Sequence, residues 1–378
     1  MENKKKKILI VYATAGIGHK KAAMAVYDAL LSVKGPHDVE IVDILHYTNT
    51  FFKKSYPSVY LFMINKMIFI WGFFYYFFNF RYVHMLTYPI RKFIHFMNGK
   101  RFAAYLTEYR PDILVSTHFM APDICAYVKA QAGLDMEVIN IVTDYRAHSF
   151  WVSGGVDHYV VGHAKTKKDL LRKWHIKPES VSVLGIPVEP KFSKKIEGKQ
   201  AKAKLGLSVN NICVLLLSGG YGVGPIFNLL KLINNVSMPV SVIVVCGHNA
   251  DLYKKVMGYK KDGRPNIINL GFVNNIDELM SAADIYVGKA GGISVTEALV
   301  KSLPVILVKP IPGQEERNAR LIVREGGGIL LNRVGDISKI LEAVVSSDGT
   351  MSNLKNAILS IRRPNASVQI AELIMDKL

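Results

Sequence analysis

Three residues in the first half of this 378-residue chain have the chemistry of a proton acceptor: His19, which ends the run TAGIGH, and Asp144 and His148 in TDYRAHSFW. His19 follows an apolar run and a glycine turn, so it falls where a helix begins. The positive end of that helix lowers an imidazole pKa and favours a neutral ring able to take a proton. The competing reading is a histidine that only caps the helix. Asp144 and His148 fall just after a strand, on a loop at its carboxyl end, where open α/β sheets gather their sites. Asp144 either orients a histidine or is itself the base, although a lone loop carboxylate also serves ordinary turns. His118, in STHFMAPD, follows another strand end and is placed like them. None of these histidines has metal-ligand spacing, and no DxD pair is present to hold a metal on a diphosphate, so the expected chemistry needs no metal and no bound cofactor.

The second half carries phosphate chemistry. ADIYVGKAGGISVTEAL reads as strand, glycine turn and helix start, so Gly291, Gly292 and Ser294 offer backbone N–H groups and a hydroxyl to a phosphate. Glu297 stands one turn further on, suited to a pair of ribose hydroxyls or, equally by spacing, to the helix dipole. In KPIPGQEERNARL, Gln314 and Glu315 follow a Pro-Gly turn and suit sugar hydroxyls. The glycine loop near the N-terminus is not a dinucleotide fingerprint. Asp43 stands about where a ribose-binding acid belongs, but Lys21 takes the place of the third glycine.

The elements that position these residues alternate. Strands are expected at Ile8 to Ala13, Val39 to Ile44, Asp112 to Ser116, Glu137 to Val142 and His158 to Val161, with helical patterns from Lys20 and from about Pro122. The Pro- and Lys-rich stretch 191–208 reads as a linker between a first domain, 1–190, and a second, 209–378. A second βα series follows, with strands at Cys213 to Leu217, Ser241 to Cys246, Asn266 to Leu270, Ile285 to Gly288 and Pro304 to Val308. Each half opens with a strand, a glycine loop and a helix, TAGIGHKKA and SGGYGVGPI. Two doubly wound α/β domains facing a cleft are expected. The apolar run after the N-terminal lysines is a first strand, not a signal peptide, and three widely spaced cysteines read as buried thiols in a reducing compartment.

The net charge of +18 implies an anionic partner. Eleven of the 17 phenylalanines fall between Phe51 and Phe96, in one block instead of interleaved with basic residues, which favours lipid over nucleic acid. Met67 to Phe80, MIFIWGFFYYFFNF, carries no charge, and its 14 residues are fewer than the roughly 20 a bilayer crossing needs. With Phe69, Trp71, Phe73, Phe74, Phe77 and Phe78 in the bilayer surface, and Lys53, Lys54, Lys66, Arg81, Arg91 and Lys92 on anionic headgroups, the block about 50–97 suits an interfacial helix pair. A buried core helix and a tilted span are the alternatives.

These motifs resemble glycosyltransferase family 28, and more closely its branch of monogalactosyldiacylglycerol synthases and processive diacylglycerol glucosyltransferases. GKAGGISVTEA is similar to that branch's K-P-G-G-x-x-x-x-E, PGQEERNA to its P-G-Q-E-x-x-N, TAGIGHKKA to its G-x-G-H and VTDYRAHSFWV to its V-T-D-x-x-x-H-x-x-W. The resemblance implies a GT-B fold and a UDP-sugar, UDP-glucose or UDP-galactose, held mainly by the second domain. It implies an acceptor, diacylglycerol, at the first, inverting transfer, and peripheral attachment to the cytoplasmic face of the cell membrane. By position it implies Gly219 and Gly220 at the diphosphate, Phe272 and Val273 beside uracil, Glu297 on ribose, Gln314 and Glu315 on the hexose, and Asn318 within the donor motif. Ala290 replaces a proline of the branch and Arg317 a common glycine; both bear on sugar preference. A polyprenyl-linked acceptor and a non-catalytic lipid- or nucleotide-binding regulator are the alternatives.

Overall fold

The computed structural model describes residues 5–14, 16–217, 219–220, 222–261, 266–308, 310–347 and 349–378. Ala15, Ser218, Tyr221 and Lys309, which belong to the glycine-loop and Pro-Gly motifs, lie outside the described residues. Contacts divide the chain into two units: 1–190 with 311–314 and 365–378, and 191–310 with 315–364.

The first unit runs β1 (Lys6–Tyr12), α1 (Ile17–Leu31), β2 (His37–Asp43), α2 (Thr50–Lys66), α3 (Ile68–Phe78), α4 (Arg81–Asn98), α5 (Lys100–Tyr109), β3 (Ile113–Ser116), α6 (Met120–Ala132), β4 (Glu137–Ile141), β5 (His158–Val161), α7 (Ala164–Trp174) and β6 (Val181–Val183). Its sheet is parallel throughout, in the order β2-β1-β3-β4-β5-β6. Apolar side chains fill both faces, as a sheet covered by helices on both sides requires. Ile8, Ile10 and Ile139 pack on one side with Val26 and Leu30 of α1, and Leu9, Val11 and Leu114 on the other with Ile124 of α6. Chain order reverses between β1 and β3, so the loops leaving these two strands meet.

The second unit runs α8 (Gly198–Lys204), β7 (Ile212–Leu217), α9 (Ile226–Ile233), β8 (Val240–Val245), α10 (Ala250–Lys261), β9 (Ile267–Leu270), α11 (Ile276–Ala282), β10 (Ile285–Gly288), α12 (Gly292–Val300), β11 (Val305–Val308), α13 (Gln314–Arg324), β12 (Gly328–Leu331), α14 (Ile337–Ser346) and α15 (Thr350–Ile361). Its parallel order, β12-β11-β10-β7-β8-β9, is that of a Rossmann sheet, with the reversal between β7 and β10.

Two boundaries differ from the sequence reading. The stretch 191–208 carries α8, which packs on α11, and the buried Lys202 pairs with the half-buried Asp284 at 2.7 Å. The chain does not end in the second unit: α16 (Ala366–Asp376) packs on α1, burying Ile370, Ala371 and Ile374 in the first core. Its apolar positions recur every three to four residues, which marks a helix with one buried face but does not say which core it joins.

The three tryptophans, Trp71, Trp151 and Trp174, all lie in the first unit, so their fluorescence reports that unit alone. Ile374→Ala should lower the tryptophan-monitored denaturation midpoint, at a cost of about 2–5 kcal/mol for a buried isoleucine. An unchanged midpoint would detach α16 from the first core.

Candidate functional site

In the first unit the site grows from the reversal between β1 and β3. Asp43, at the end of β2, accepts hydrogen bonds from the Thr14 hydroxyl at 2.5 Å, the Thr14 N–H at 3.3 Å and the Leu45 N–H at 3.0 Å. It therefore fixes the start of the glycine loop. The loop delivers His19 to the third position of α1. The N-cap, Gly16, has no side-chain cap, and the His19 ring turns instead to the β3 loop. His19 Nδ1–H donates to the Thr117 carbonyl at 2.7 Å, with Thr143 Oγ1 at 3.2 Å, and the Thr117 hydroxyl donates back to the His19 carbonyl at 2.9 Å.

A proton on Nδ1 leaves the lone pair on Nε2, the tautomer needed to accept a proton. Burial lowers the pKa of His19 to about 4, opposed by the Thr117 carbonyl, so the ring is neutral at physiological pH. The cause is desolvation, where the sequence suggested the helix end.

His118 is a buried neighbour, its ring edge-on to His19 at 4.9 Å between centroids. Its Nδ1 accepts the Met120 N–H at 3.2 Å, so Nε2 carries the proton and faces the Tyr56 hydroxyl of α2 at 3.4 Å. Burial, then the nearby His19 and His95 rings, push its pKa well below the ordinary value. His118 contributes to the walls around His19 and ties α2 to them. Asp144 is buried on the β4 loop, next in the chain to Thr143.

His148 is a correction. Its Nε2–H donates to the Tyr75 carbonyl at 2.8 Å and its Nδ1 accepts the Phe150 N–H at 3.1 Å. Both ring nitrogens are committed, so His148 anchors α3 to this loop and is not a base. The Trp151 ring of the same loop lies 6.0 Å from that of His19.

The apolar block forms α2, α3 and α4. Seventeen of the 23 exposed large apolar residues lie between Phe51 and Met97, among the described residues; the other six are Leu31, Val209, Tyr253, Phe272, Leu359 and Val368. Phe69 is 87% exposed, and Phe73, Phe74 and Phe77 are also exposed. Trp71 and Phe78 are not: Trp71 packs edge-on against Tyr60 at 5.3 Å, and Phe78 lies 6.0 Å from Phe150, so both hold α3 in place.

The sequence placed the block 50–97 at a surface as a helix pair, but the structure makes it three helices, and the outward apolar face of the third, α4, was not foreseen. Tyr82, Met85, Leu86, Ile90, Phe93 and Met97 share one outward face, while the opposite face, His84, Tyr88, Arg91 and His95, turns inward. Arg91, expected on a lipid headgroup, instead grips the buried Asp123 of α6 through Nε at 2.9 Å and Nη2 at 3.2 Å, and His95 Nδ1 lies 2.7 Å from the same carboxylate. No single helix among the described residues is long and apolar enough to cross a membrane; α2 and α3 pass such a test only as a pair bent by 109°.

The second unit builds its site at the reversal between β7 and β10. Gly219 adopts φ +69° and Gly247 φ +59°, conformations that favour glycine. A Cβ on Gly247 would come within 2.6 Å of the Gly220 carbonyl, which accepts the His248 N–H at 3.0 Å. Phe272, 49% exposed, stacks on the His248 ring at 4.5 Å with 13° between planes, and Val273 follows it half-buried.

After β10, Gly291 is the extended N-cap of α12, so the free N–H groups of the first turn begin at Gly292. Ser294 Oγ lies 3.4 Å from the Gly291 carbonyl, which it shares with the helix turn. Asn318 does not project as a free ligand: it is buried and donates to the Ala290 carbonyl at 3.2 Å, bracing this loop. Glu297 is buried in the second turn. Tyr286 has its pKa raised by burial above all, with Ser294 opposing and the Glu297 and Glu315 carboxylates adding, which brings these two acids to one phenol. Gln314 and Glu315 open α13, Gln314 grouped with the first unit and Glu315 with the second. Among the described residues no three His, Cys, Asp or Glu side chains converge as for a metal ion.

Comparison with known proteins identifies this framework. The model for monogalactosyldiacylglycerol (MGDG) synthase matches residues 19–188, and that for the glycosyltransferase family 28 C-terminal domain matches residues 226–364. The processive diacylglycerol beta-glucosyltransferase of Bacillus subtilis is 31% identical over 379 residues, covering 99% of this chain and 96% of that protein. Among solved structures, MurG of Acinetobacter baumannii gives a TM-score of 0.63 at 14% identity over 98% of this chain and 99% of that one. Anabaena HepE in complex with UDP-glucose gives 0.56 at 14% over 98% and 100%. These likenesses show the GT-B fold, and the sequence match adds the chemistry class. The chain belongs to glycosyltransferase family 28, in its branch of monogalactosyldiacylglycerol synthases and processive diacylglycerol glucosyltransferases, and is a hexosyltransferase.

Proposed function

We propose that the chain transfers glucose from UDP-glucose to the free hydroxyl of diacylglycerol, with inversion, at the cytoplasmic face of the cell membrane, and without a metal ion or bound cofactor. The observation that carries the mechanism is the His19 ring: Nδ1–H committed to the Thr117 carbonyl, Nε2 holding the lone pair, and burial keeping the ring neutral. In the reaction the acceptor oxygen attacks the anomeric carbon while the bond from that carbon to the diphosphate breaks. UDP leaves with the electron pair, and the hydroxyl proton passes to Nε2. UDP-glucose is α-linked, so one such displacement gives a β-glucoside, in keeping with the beta-glucosyltransferase named above.

The N–H groups at the start of α12 and the loop of Gly219 and Gly220 suit the diphosphate, where developing charge is stabilised without reorganisation. Phe272, backed by His248, suits the uracil face. The outward apolar faces of α3 and α4 suit a bilayer surface, with Lys53, Lys54 and Lys66 exposed beside them for anionic lipid. Nucleic acid is not a partner in this reading.

Purified protein given radiolabelled UDP-glucose or UDP-galactose, with vesicles of diacylglycerol and anionic phospholipid, should move label into the lipid phase from UDP-glucose. Label from UDP-galactose alone would exchange the sugar. Label from neither, with UDP binding intact, would redirect the search to polyprenyl acceptors.

His19→Ala should lower kcat by about 10²–10⁴-fold, the range for a general base. Loss of turnover in Asp144→Asn together with an active His19→Ala would move the base to Asp144.

The pH profile follows from the lowered pKa. A base is active when deprotonated, so transfer should persist as pH falls from 7 to 5 and decline only as it nears about 4. An acid limb near 6.5, the ordinary imidazole value, would remove His19 from the role.

Phe272→Ala should weaken UDP binding by about tenfold, the size of one lost base-stacking contact, with the melting temperature unchanged. Unaltered affinity in a titration would place the uracil elsewhere.

A further inference from the structure

The loop that carries Trp151 is stitched to the apolar helices. From α3, the Tyr75 carbonyl takes the His148 Nε2–H at 2.8 Å and the Phe78 carbonyl takes the Ser149 hydroxyl at 2.7 Å. From α4, the Tyr88 hydroxyl accepts the Gly154 N–H at 2.9 Å and meets Ser153 Oγ at 3.2 Å. Arg91 goes deepest. While Nε and Nη2 grip Asp123, Nη2 also donates to the Val152 carbonyl at 3.0 Å and Nη1 reaches the Ser149 carbonyl at 3.5 Å.

Trp151 sits between those two carbonyls in the chain. Its own carbonyl accepts from Asn140 Nδ2 at 3.2 Å, and its ring faces His19. The planar guanidinium can serve these directions together, which one ammonium cannot.

Asp123 has no exposed side-chain surface. Burial opposes its charge, but the hydrogen bonds from His95 and Arg91 outweigh that and keep its pKa below the ordinary value. The clamp is therefore ionised and oriented, and it sits directly behind the outward face of α4.

We propose that Arg91 is a positioning residue for the transfer. Held by Asp123, it fixes the loop 148–155 against the inner face of α4 and so keeps Trp151 beside His19. The seating of α4 on lipid is thereby linked mechanically to the placement of the base. This rests on the transfer reading above. It adds a role for a residue whose hydrogen bonds go to Asp123, Ser149 and Val152 and not to His19.

The test uses full-length protein with diacylglycerol and anionic phospholipid vesicles and labelled UDP-glucose. Removing one charge alone would leave the other buried and unpaired, so the variant is the double Arg91→Met, Asp123→Leu, which replaces the pair by apolar groups of similar size. Vesicle co-sedimentation and UDP affinity should stay near wild type and the tryptophan-monitored melt should drop only by the cost of the lost His95 hydrogen bond, while kcat falls about tenfold or more with KM for UDP-glucose unchanged. Arg91→Lys, which keeps the charge and loses the fork, should fall between the two.

A double variant within twofold of wild-type kcat overturns the proposal. So does a loss of kcat that only tracks a loss of vesicle binding, since the clamp would then serve docking alone. Should the double variant not fold, Tyr88→Phe, which deletes the hydroxyl bonds to Gly154 and Ser153, should lower kcat several-fold with vesicle binding intact, and an unchanged kcat counts against the linkage. A wild-type chain that moves no label overturns the transfer reading and this inference with it, whereas an active wild type with an equally active variant overturns only the inference.

Discussion

The first unit depends on the parallel pairing of β1 with both β2 and β3. Parallel strands put their carboxyl ends at one edge of the sheet, and the reversal of chain order beside β1 leaves the loops after β1 and β3 with no helix between them. His19 and Thr117 are 98 residues apart in sequence and 2.7 Å apart in space for this reason. The hydrogen bond between them does two things: it selects the tautomer, and it opposes the desolvation that lowers the pKa of the ring. The second unit repeats the constraint between β7 and β10, and there the gathered loops are rich in glycine and N–H groups where the first unit has imidazoles. In the proposed transfer the same topology thus serves proton chemistry in one unit and anion binding in the other.

The apolar helices obey a different constraint. A surface helix of a globular domain turns its apolar stripe inward, whereas α4 does the reverse. A carboxylate without solvent contact behind it recruits the polar stripe, and the apolar stripe is left outside. For the lipid docking proposed above, burying the six outward side chains of α4 is worth on the order of 10 kcal/mol before ordering costs. A lysine near an anionic surface adds about 1 kcal/mol. The apolar face therefore sets whether the chain docks, and the charges adjust it.

Much of the sheet framework was legible in the sequence because buried parallel strands are short apolar runs bounded by turn residues. The strands at His158–Val161 and Ile285–Gly288 fall where the runs predict them. The edge strands β6 and β12 are only three and four residues long and were missed. At the site, His19 was legible from its place after a glycine turn, but not the origin of its lowered pKa, which depends on what encloses the ring. His148 was misread because spacing shows a ring's place on a loop and not what its two nitrogens touch. The aromatic block drew attention to its uncharged stretch, while α4, with Arg91 and Lys92 interleaved, looked ordinary. Its inverted faces become visible only once Asp123, 32 residues from Arg91 and on another helix, is brought to it.

In the proposed transfer, the enclosure that keeps His19 neutral also makes it a weak base, and this sets what the surrounding residues must do. A ring with its pKa near 4 takes a proton readily only from a hydroxyl whose oxygen is already bonding to carbon, so proton transfer has to run with the displacement and not ahead of it. Timing of that kind demands placement, because a base that must wait for the reacting oxygen gains nothing from being near it in the wrong orientation. The walls of the enclosure are His118, Trp151 and Thr143, and two of them are tied to the apolar helices: His118 through Tyr56 of α2, and Trp151 through the loop that α3 and α4 hold. In the proposed transfer, the elements that suit lipid thus also form the frame that orients a weak base.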